Sequence, residues 1–157
     1  MRVAILGHGV VGGGVSRILL SEKKAATLAA ICTLDPKKDS LYSEYPDFFR
    51  PFEEVLSDSS IDIVVETIGG TGIALDMVQK SLRAKKNVVT ANKEMIAKHF
   101  SELQDLAKEN GVSLLFEASV GGGIPMLSAI EHGLVGDKIQ KVEGILNGTT
   151  NYILTKM

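Results

Sequence analysis

The sequence predicts an α/β fold in which a mostly parallel sheet is covered by helices on both faces. Short apolar runs alternate with segments of helical periodicity along most of the chain, an order that gives parallel strands joined by right-handed crossovers. Residues 61–66 are rich in isoleucine and valine, as in strands buried on both faces. A glycine-rich turn at residues 7–12 separates the first apolar run from the first helical segment. These observations indicate a doubly wound, Rossmann-type sheet.

The individual elements follow from hydrophobic periodicity and from residues that begin or end helices. The predicted strands are residues 2–6, 27–33, 61–66, 87–90 and 112–116. The predicted helices between them are residues 11–21, a single turn at 53–56, then 72–84 and 94–110. Gly111 is a standard helix stop after the last of these, and the polar segment 35–51 is expected to be an irregular loop.

The pattern changes after residue 125. The predicted elements of this region are a glycine-rich segment at 117–125, helices at 126–132 and 147–157, and a strand at 139–146. We therefore expect one domain over residues 1–125 and the incomplete beginning of a second, α+β domain over residues 126–157.

Composition excludes several classes of protein. Of the 157 residues, 45% are hydrophobic and 23% are charged, and the net charge is -2, so no basic surface for nucleic acid is expected. No apolar stretch is long enough to span a bilayer, so we expect no membrane partner. The single cysteine, Cys32, lies in an apolar run, which indicates a buried, unreactive thiol and fits a reducing cytoplasm.

The motif Gly7-His8-Gly9-Val10-Val11-Gly12 carries the first functional prediction. In G-x-G-x-x-G, the first glycine permits a tight turn, the second lets a pyrophosphate approach the backbone, and the third lets helix and strand pack closely. The N–H groups and the positive dipole end of the helix then face the anion. This context favours dinucleotide binding over a structural glycine turn, with all six residues at the cofactor and His8 lining the phosphate site passively.

Residues after the second strand bear on the choice between NAD and NADP. An acid there usually binds the ribose 2′-OH of NAD, whereas a basic residue favours the 2′-phosphate of NADP. Thr33 is neutral and lies nearest the strand end, while Lys37 and Lys38 supply positive charge. Asp35 is the alternative ribose ligand, or the start of a turn beside two solvated lysines. The sequence favours NADP over NAD and leaves use of both open.

Further candidates follow the third and fourth strands, at the edge where open parallel sheets bind ligands. Gly69 and Gly70 are expected to let the nicotinamide end approach the backbone, and Thr90 to lie beside it. Lys93 is a candidate for binding a substrate carboxylate or the cofactor, or for proton transfer. The alternative is an exposed lysine near a helix start.

Two polar segments near the end of the chain also have two interpretations each. Glu117, with the bent backbone that follows it, offers oxygen ligands for a small cation, or else caps N–H groups at a hinge. The segment Asn147-Gly148-Thr149-Thr150-Asn151 offers hydroxyl and amide groups to a polar substrate, or else caps a helix.

Taken together, these segments resemble homoserine dehydrogenase. The matching pieces are the glycine motif, Asp62-Ile63-Val64-Val65-Glu66 with Gly69-Gly70, Val88-Val89-Thr90-Ala91-Asn92-Lys93, residues 117–125 and residues 145–154. The last two are specific to that family, and the match covers the whole chain, weakly at residues 36–51. The resemblance implies reversible, NAD- or NADP-dependent interconversion of L-homoserine and L-aspartate 4-semialdehyde, on the route to threonine, isoleucine and methionine.

The resemblance also implies roles for single residues. Lys93 matches the lysine near the nicotinamide and the substrate, and is therefore the candidate catalytic residue. The other implied assignments are a monovalent-cation site, commonly for sodium, at Glu117, Val120, Gly122 and Ile124, and a substrate region at Asn147, Gly148, Thr149 and Thr150. The family's second domain binds substrate and forms a homodimer.

One departure from the family concerns the end of the chain. The family's acidic pair that binds the homoserine amino group and its principal proton-transfer lysine lie beyond the segment that matches residues 147–154. The resemblance therefore implies the nucleotide-binding portion of a longer enzyme, which binds cofactor but lacks part of the catalytic machinery. A related small-molecule dehydrogenase and a non-enzymatic dinucleotide sensor are the alternatives.

Overall fold

A five-stranded parallel sheet organises the chain in the computed structural model, which describes residues 1–22, 25–144 and 148–157. The strands are β1 (Arg2–Leu6), β2 (Thr27–Cys32), β3 (Ile63–Glu66), β4 (Asn87–Thr90) and β5 (Leu114–Leu115). The helices are α1 (Val10–Ser21), α2 (Phe52–Ser57), α3 (Ile73–Arg83), α4 (Lys93–Asn110), α5 (Met126–Gly133) and α6 (Gly148–Lys156). Short 3-10 turns lie at Pro36–Lys38, Pro46–Phe48 and Glu117–Ser119.

The strand order places β1 at the point where the direction of winding reverses. The order across the sheet is β2-β1-β3-β4-β5, so the chain builds first to one side of β1 and then to the other. Ile5 of β1 pairs with Ile31 of β2 on one side and with Val65 of β3 on the other. A crevice outside the carboxyl ends of the strands at such a switch point is where open α/β sheets bind ligands.

Alternate residues of β1 are buried in two separate apolar clusters, one on each face of the sheet. The cluster on the α3 and α4 side includes Ala4, Leu6, Val64, Val78, Leu82, Val88, Met95 and Leu103. The cluster on the α1 side consists of Ile5, Leu28 and Ile31, with Val15, Leu19, Leu20, Leu41, Phe48 and Phe49 packed against it. The prediction of a doubly wound parallel sheet is therefore confirmed.

The predicted bounds agree best with the structure where hydrophobic periodicity and turn residues indicate the same element. Strands 2–6 and 87–90 have the predicted bounds, and Gly111 ends α4 in the left-handed region with φ 69°. The predicted strand at 112–116 is shortened to β5, whose two residues pair with Val88 and Val89 of β4. Within the described residues, no helix combines the length and apolar character needed to cross a membrane.

The prediction of a strand at residues 139–146 is wrong for residues 139–144, the part that the structure describes. Residues 139–144 have no regular secondary structure and are exposed, and residues 145 and 146 lie outside the described residues. A strand needs a neighbour for its N–H and C=O groups, and within the described residues every strand lies before residue 116. Alternating hydrophobicity alone therefore did not make a strand. The division into domains 1–125 and 126–157 stays a prediction.

Cys32 has the environment that the sequence predicts. It is buried at the end of β2, and burial raises the pKa of its thiol to about 12. The thiol is therefore protonated at neutral pH and is a poor nucleophile.

The third glycine of the motif provides a test of the packing between α1 and β1. A Cβ added at Gly12 would overlap the carbonyl oxygen of Gly7 and would lie 2.8 Å from Oγ1 of Thr67. Gly12→Ala should therefore force α1 away from the turn and lower the free energy of unfolding by about 1–3 kcal/mol, the usual cost of overpacking. The measurement is urea denaturation of the purified chain.

Gly14→Ala is the matched control, because a Cβ at this position of the same helix meets nothing within 4 Å. It should keep or raise stability, since alanine favours a helix more than glycine does. Equal stability of the two variants would contradict close packing at Gly12.

Candidate functional site

Two clefts open at the carboxyl edge of the sheet. The large cleft has a volume of about 920 Å³, and the small cleft, on the α1 side of the glycine turn, has a volume of about 520 Å³. The large cleft is lined by Gly69, Gly70, Ala91, Asn92, Lys93, Glu94, Ala118, Ser119, Gly121, Gly122, Ile124, Met126 and Gly148. The small cleft is lined by His8, Gly9, Val10, Gly13, Ser16, Arg17, Lys38, Asp39, Ser40 and Leu41.

The glycine turn leads from β1 directly into α1. Gly7 has φ 86°, in the left-handed region that favours glycine, and its N–H donates to the carbonyl of Cys32 at 2.8 Å. Gly9 precedes α1 in an extended conformation and makes no side-chain cap. A Cβ added to Gly9 meets no atom of the protein within 4 Å. The start of α1 therefore has no side-chain cap and borders the small cleft through Gly9 and Val10, an arrangement that suits an anion.

Hydrogen bonds of Thr67 connect the loop after β3 to this turn. Its hydroxyl oxygen Oγ1 lies 2.7 Å from the Gly7 carbonyl and 3.1 Å from the Leu6 carbonyl, and its N–H donates to Leu6 at 2.9 Å. Beyond Thr67, Gly69 and Gly70 have φ 87° and 72°. The two glycine-containing segments thus meet at the switch point, as the sequence predicts.

A buried carboxylate at the end of β3 links the loops of the large cleft. Glu66 is fully buried. Its Oε1 accepts hydrogen bonds from the N–H groups of Ile68 (2.8 Å) and Gly69 (3.0 Å), and its Oε2 accepts one from the Thr90 hydroxyl (2.5 Å). Glu66 therefore sets the path of the loop that precedes Gly70, and Thr90 lies behind the cleft wall.

Asn92 continues this network on the other side of the large cleft. Its N–H donates to the Thr90 hydroxyl oxygen at 3.0 Å, and its side-chain Nδ2 donates to the Gly70 carbonyl at 2.6 Å. Its Oδ1 accepts from the Met95 N–H at 3.1 Å and so caps α4. Neither Glu66 nor Asn92 was selected as a site residue from the sequence. The available signal was a charged residue at the end of an apolar strand.

Lys93 lies at the mouth of the large cleft. It is the first residue of α4, is exposed and lines the cleft directly after the Asn92 cap. The structure thus brings it to the edge predicted from sequence, near Gly69 and Gly70. Its chemical role stays a prediction.

His8 is more firmly held than passive lining requires. Its Nδ1 contacts Oδ2 of Asp39 at 2.5 Å and its Nε2 contacts Oγ of Ser16 at 2.8 Å. The His8 and Asp39 side chains are only 6% and 9% exposed. The order Ser-His-Asp resembles that of hydrolases, but Ser16 is 1% exposed in the middle of α1 and cannot reach a substrate. The trio instead joins the glycine turn to the segment after β2.

The residues expected to select the dinucleotide lie mainly on the solvent side of the small cleft. Thr33 is half-buried, and Lys37 is exposed. Lys38 lines the cleft, is 83% exposed and pairs with Asp35 at 2.9 Å. The Asp35–Lys38 pair is compatible with a turn as well as with a phosphate site, so NADP preference stays a prediction.

Glu117 caps a helix, which is one of the two interpretations that the sequence left open. Its Oε1 accepts from the N–H of Leu127 at 2.9 Å, and its Oε2 accepts from the N–H (2.8 Å) and hydroxyl (2.6 Å) of Ser128. The Ser128 hydroxyl, aided by these N–H groups, lowers the pKa of Glu117. The carboxylate therefore secures the start of α5.

Some groups of the expected cation site are hydrogen-bonded within the protein. The carbonyl of Ile124 already accepts a hydrogen bond from Met126 at 2.8 Å, while Gly121 and Gly122 bend the chain with φ 73° and 61°. Among the described residues, no group of three or more His, Cys, Asp or Glu side chains is arranged to hold a metal. The cation site at Glu117, Val120, Gly122 and Ile124 stays a prediction.

The predicted substrate region is only partly within the described residues. Gly148 lines the large cleft at the start of α6, and Thr150 is exposed on the same helix. Asn147 and the Thr149 side chain lie outside the part of the chain that the structure describes.

The Glu117 cap gives a pH-dependent prediction. Because the folded state lowers the pKa of Glu117, the carboxylate stabilises the fold above its unfolded pKa, and this contribution is lost as the pH falls. Glu117→Gln should therefore lower the melting temperature at pH 7. The gap to the unaltered chain should close as the pH falls below about 4.3. Calorimetry at both pH values measures this, and a gap that persists in acid would contradict the assignment.

Comparison with protein families gives two consecutive matches. A family model described as "Homoserine dehydrogenase, NAD binding domain" matches residues 7–117, and one described as "Homoserine dehydrogenase" matches residues 125–157. The first match spans the glycine turn, the β3 loop and the start of α4.

Individual relatives agree with the family matches. Homoserine dehydrogenases of Bacillus subtilis and Neisseria gonorrhoeae are 42% and 35% identical to the chain and align with 100% of it. A crystal structure of a homoserine dehydrogenase from Thiobacillus denitrificans superposes on 100% of the chain, with a TM-score of 0.89 and 34% identity. The chain spans about 38% of the length of each of these relatives.

Proposed function

The chain belongs to the homoserine dehydrogenase family, and we propose that it binds NADP(H) or NAD(H) for the interconversion of L-homoserine and L-aspartate 4-semialdehyde. The observation that carries this proposal is the glycine turn at the switch point of the sheet. There the uncapped N-terminus of α1 and the open backbone of Gly9 offer N–H groups to a pyrophosphate.

The proposed binding mode divides the dinucleotide between the two clefts. The backbone of Gly7, His8, Gly9, Val10, Val11 and Gly12 would hold the pyrophosphate. Thr33, Lys37 and Lys38 would lie toward the adenosine ribose, beside the small cleft. Gly69, Gly70 and Lys93 would lie toward the nicotinamide at the large cleft, with the buried Thr90 behind its wall. When bound, the nicotinamide supplies the hydride acceptor or donor for the reaction.

The protein's own part in the chemistry is to orient the substrate and move a proton. Oxidation of an alcohol requires a base near its hydroxyl proton and alignment with the hydride acceptor. Lys93 lines the large cleft, and we propose that it binds the substrate carboxylate or takes part in the proton transfer. Asn147, Gly148, Thr149 and Thr150 are proposed to contact the substrate.

Three further proposals concern the protein as a whole. A monovalent cation such as sodium would be held by Glu117 together with the carbonyls of Val120, Gly122 and Ile124. Homodimer formation and a substrate-binding role are proposed for the region that begins at residue 126. A cytoplasmic location is proposed because the single cysteine, Cys32, is buried and free, which fits a reducing compartment.

Cofactor binding is tested first at Gly9. Because a Cβ at Gly9 meets no protein atom within 4 Å, Gly9→Val should leave the fold intact, and its side chain should fill the space of the pyrophosphate. Titration calorimetry of the unaltered chain with NAD, NADH, NADP and NADPH should show binding of at least one form. Gly9→Val should abolish that binding, and Gly14→Ala should retain it. Absence of binding by the folded, unaltered chain at millimolar cofactor would refute the proposal.

Cofactor preference is tested at the two lysines after β2. If Lys37 and Lys38 contact a 2′-phosphate, replacing both by alanine removes two solvent-screened charges. This should weaken the binding of NADPH by about 1–2 kcal/mol, or about 5- to 30-fold, and leave the binding of NADH unchanged. The matched control replaces two exposed lysines of α4, Lys98 and Lys108. Equal weakening of both dinucleotides, or of neither, would show that the lysines are merely solvated.

A further inference from the structure

Glu66 is an unusual residue for the middle of a parallel sheet. It ends β3, pairs in register with Leu6 of β1 and Thr90 of β4, and is fully buried. None of the ion pairs among the described residues includes it. A buried carboxylate is costly unless it is fully hydrogen-bonded, and an apolar residue would complete the strand without that cost. The position of Glu66 therefore points to a role beyond the sheet.

The three donors to Glu66 lie on two segments that line the large cleft. The N–H groups of Ile68 and Gly69 belong to the loop after β3, and the hydroxyl of Thr90 belongs to the end of β4. The loop that includes Gly69 and Gly70 has left-handed φ angles, so without a fixed acceptor it has many other conformations available. Glu66 holds this loop at a defined distance from β4.

The direction of the hydrogen bonds requires an acceptor at position 66. The Thr90 hydroxyl has one proton, which it donates to Oε2 of Glu66, and its oxygen then accepts the N–H of Asn92. Asn92 in turn donates its side-chain amide to the carbonyl of Gly70 at 2.6 Å. The network thus begins and ends on the loop after β3. A glutamine amide at position 66 would place a donor against either Thr90 or the loop N–H groups.

We propose that Glu66 is a positioning residue for the nicotinamide end of the cofactor. Its carboxylate sets the spacing between the Gly69–Gly70 loop and the Asn92–Lys93 segment, the two walls between which the nicotinamide is to bind. Glu66 does not touch the cofactor, because its side chain has no exposed surface. This inference rests on the proposed function and adds a residue that acts through Thr90 and Asn92.

The test compares a whole dinucleotide with the same ligand lacking nicotinamide. The probes are NADH with ADP-ribose, or NADPH with 2′-phospho-ADP-ribose if the chain prefers NADPH. Both members of a pair keep the pyrophosphate and the adenosine, which bind away from Glu66. Dissociation constants are measured by titration calorimetry on the full 157-residue chain, and circular dichroism shows whether each variant is folded.

Glu66→Gln should weaken the binding of the dinucleotide about tenfold or more, as expected for the loss of a buried hydrogen bond to a charged acceptor. It should change the affinity of the nicotinamide-free ligand by less than about twofold. Glu109→Gln, which removes an exposed carboxylate at the end of α4, is the matched control and should change neither.

Thr90 supplies a second pair of variants in case Glu66→Gln does not fold. Thr90→Val has the same shape without the hydroxyl, and Thr90→Ser keeps the hydroxyl, so the serine variant should retain more dinucleotide affinity than the valine variant. Equal weakening of both ligands, or unchanged dinucleotide affinity in folded Glu66→Gln or Thr90→Val, would overturn the positioning role alone. Failure of the unaltered chain to bind either dinucleotide would overturn the proposed function itself.

Discussion

The close packing of α1 against the turn that follows β1 is the constraint on which the rest of the structure depends. It requires a residue without a side chain at Gly12, where a Cβ would overlap the carbonyl of Gly7. The same carbonyl accepts the hydroxyl of Thr67, which ties the loop after β3 to the turn at 2.7 Å. The carbonyl of Gly7 thus contacts both α1 and the loop after β3, at the point where the winding of the sheet reverses.

Different hydrogen bonds stabilise the α1 side and the β3 side of the glycine turn. On the α1 side, His8 joins Asp39 and Ser16, so the segment after β2 is fixed beside an open helix N-terminus. On the β3 side, a chain of hydrogen bonds runs from Glu66 through Thr90 and Asn92 back to the carbonyl of Gly70. The first arrangement uses only side chains, whereas the second also uses the N–H of Gly69 and the carbonyl of Gly70. This division leaves N–H groups for an anion on one side and a shaped, polar wall on the other.

Local sequence signals predicted most of the fold, because strands β1 to β4 alternate with helices that have clear starts and stops. They failed where pairing decides the outcome. β5 pairs with β4 over only two residues, and residues 139–144 form no strand. The glycine turn and Lys93 were found from sequence because their motifs are contiguous. Glu66, Asn92 and the His8–Asp39 contact were missed, since each makes a contact with a residue 22 to 31 positions away that no local motif indicates. The contact between Glu117 and the start of α5 was also found only from the structure, since Leu127 and Ser128 lie 10 and 11 residues away.

The central claim is that one dinucleotide spans the glycine turn and the loops after β3 and β4. Amide chemical-shift mapping tests it most directly, with the ¹⁵N-labelled chain titrated with NADPH or NADH. The account predicts saturable shifts at Gly7, Gly9 and Gly12 together with Gly69, Gly70 and Lys93, at the same dissociation constant. Shifts confined to one of these segments, or centred on the exposed face of α4, would contradict it.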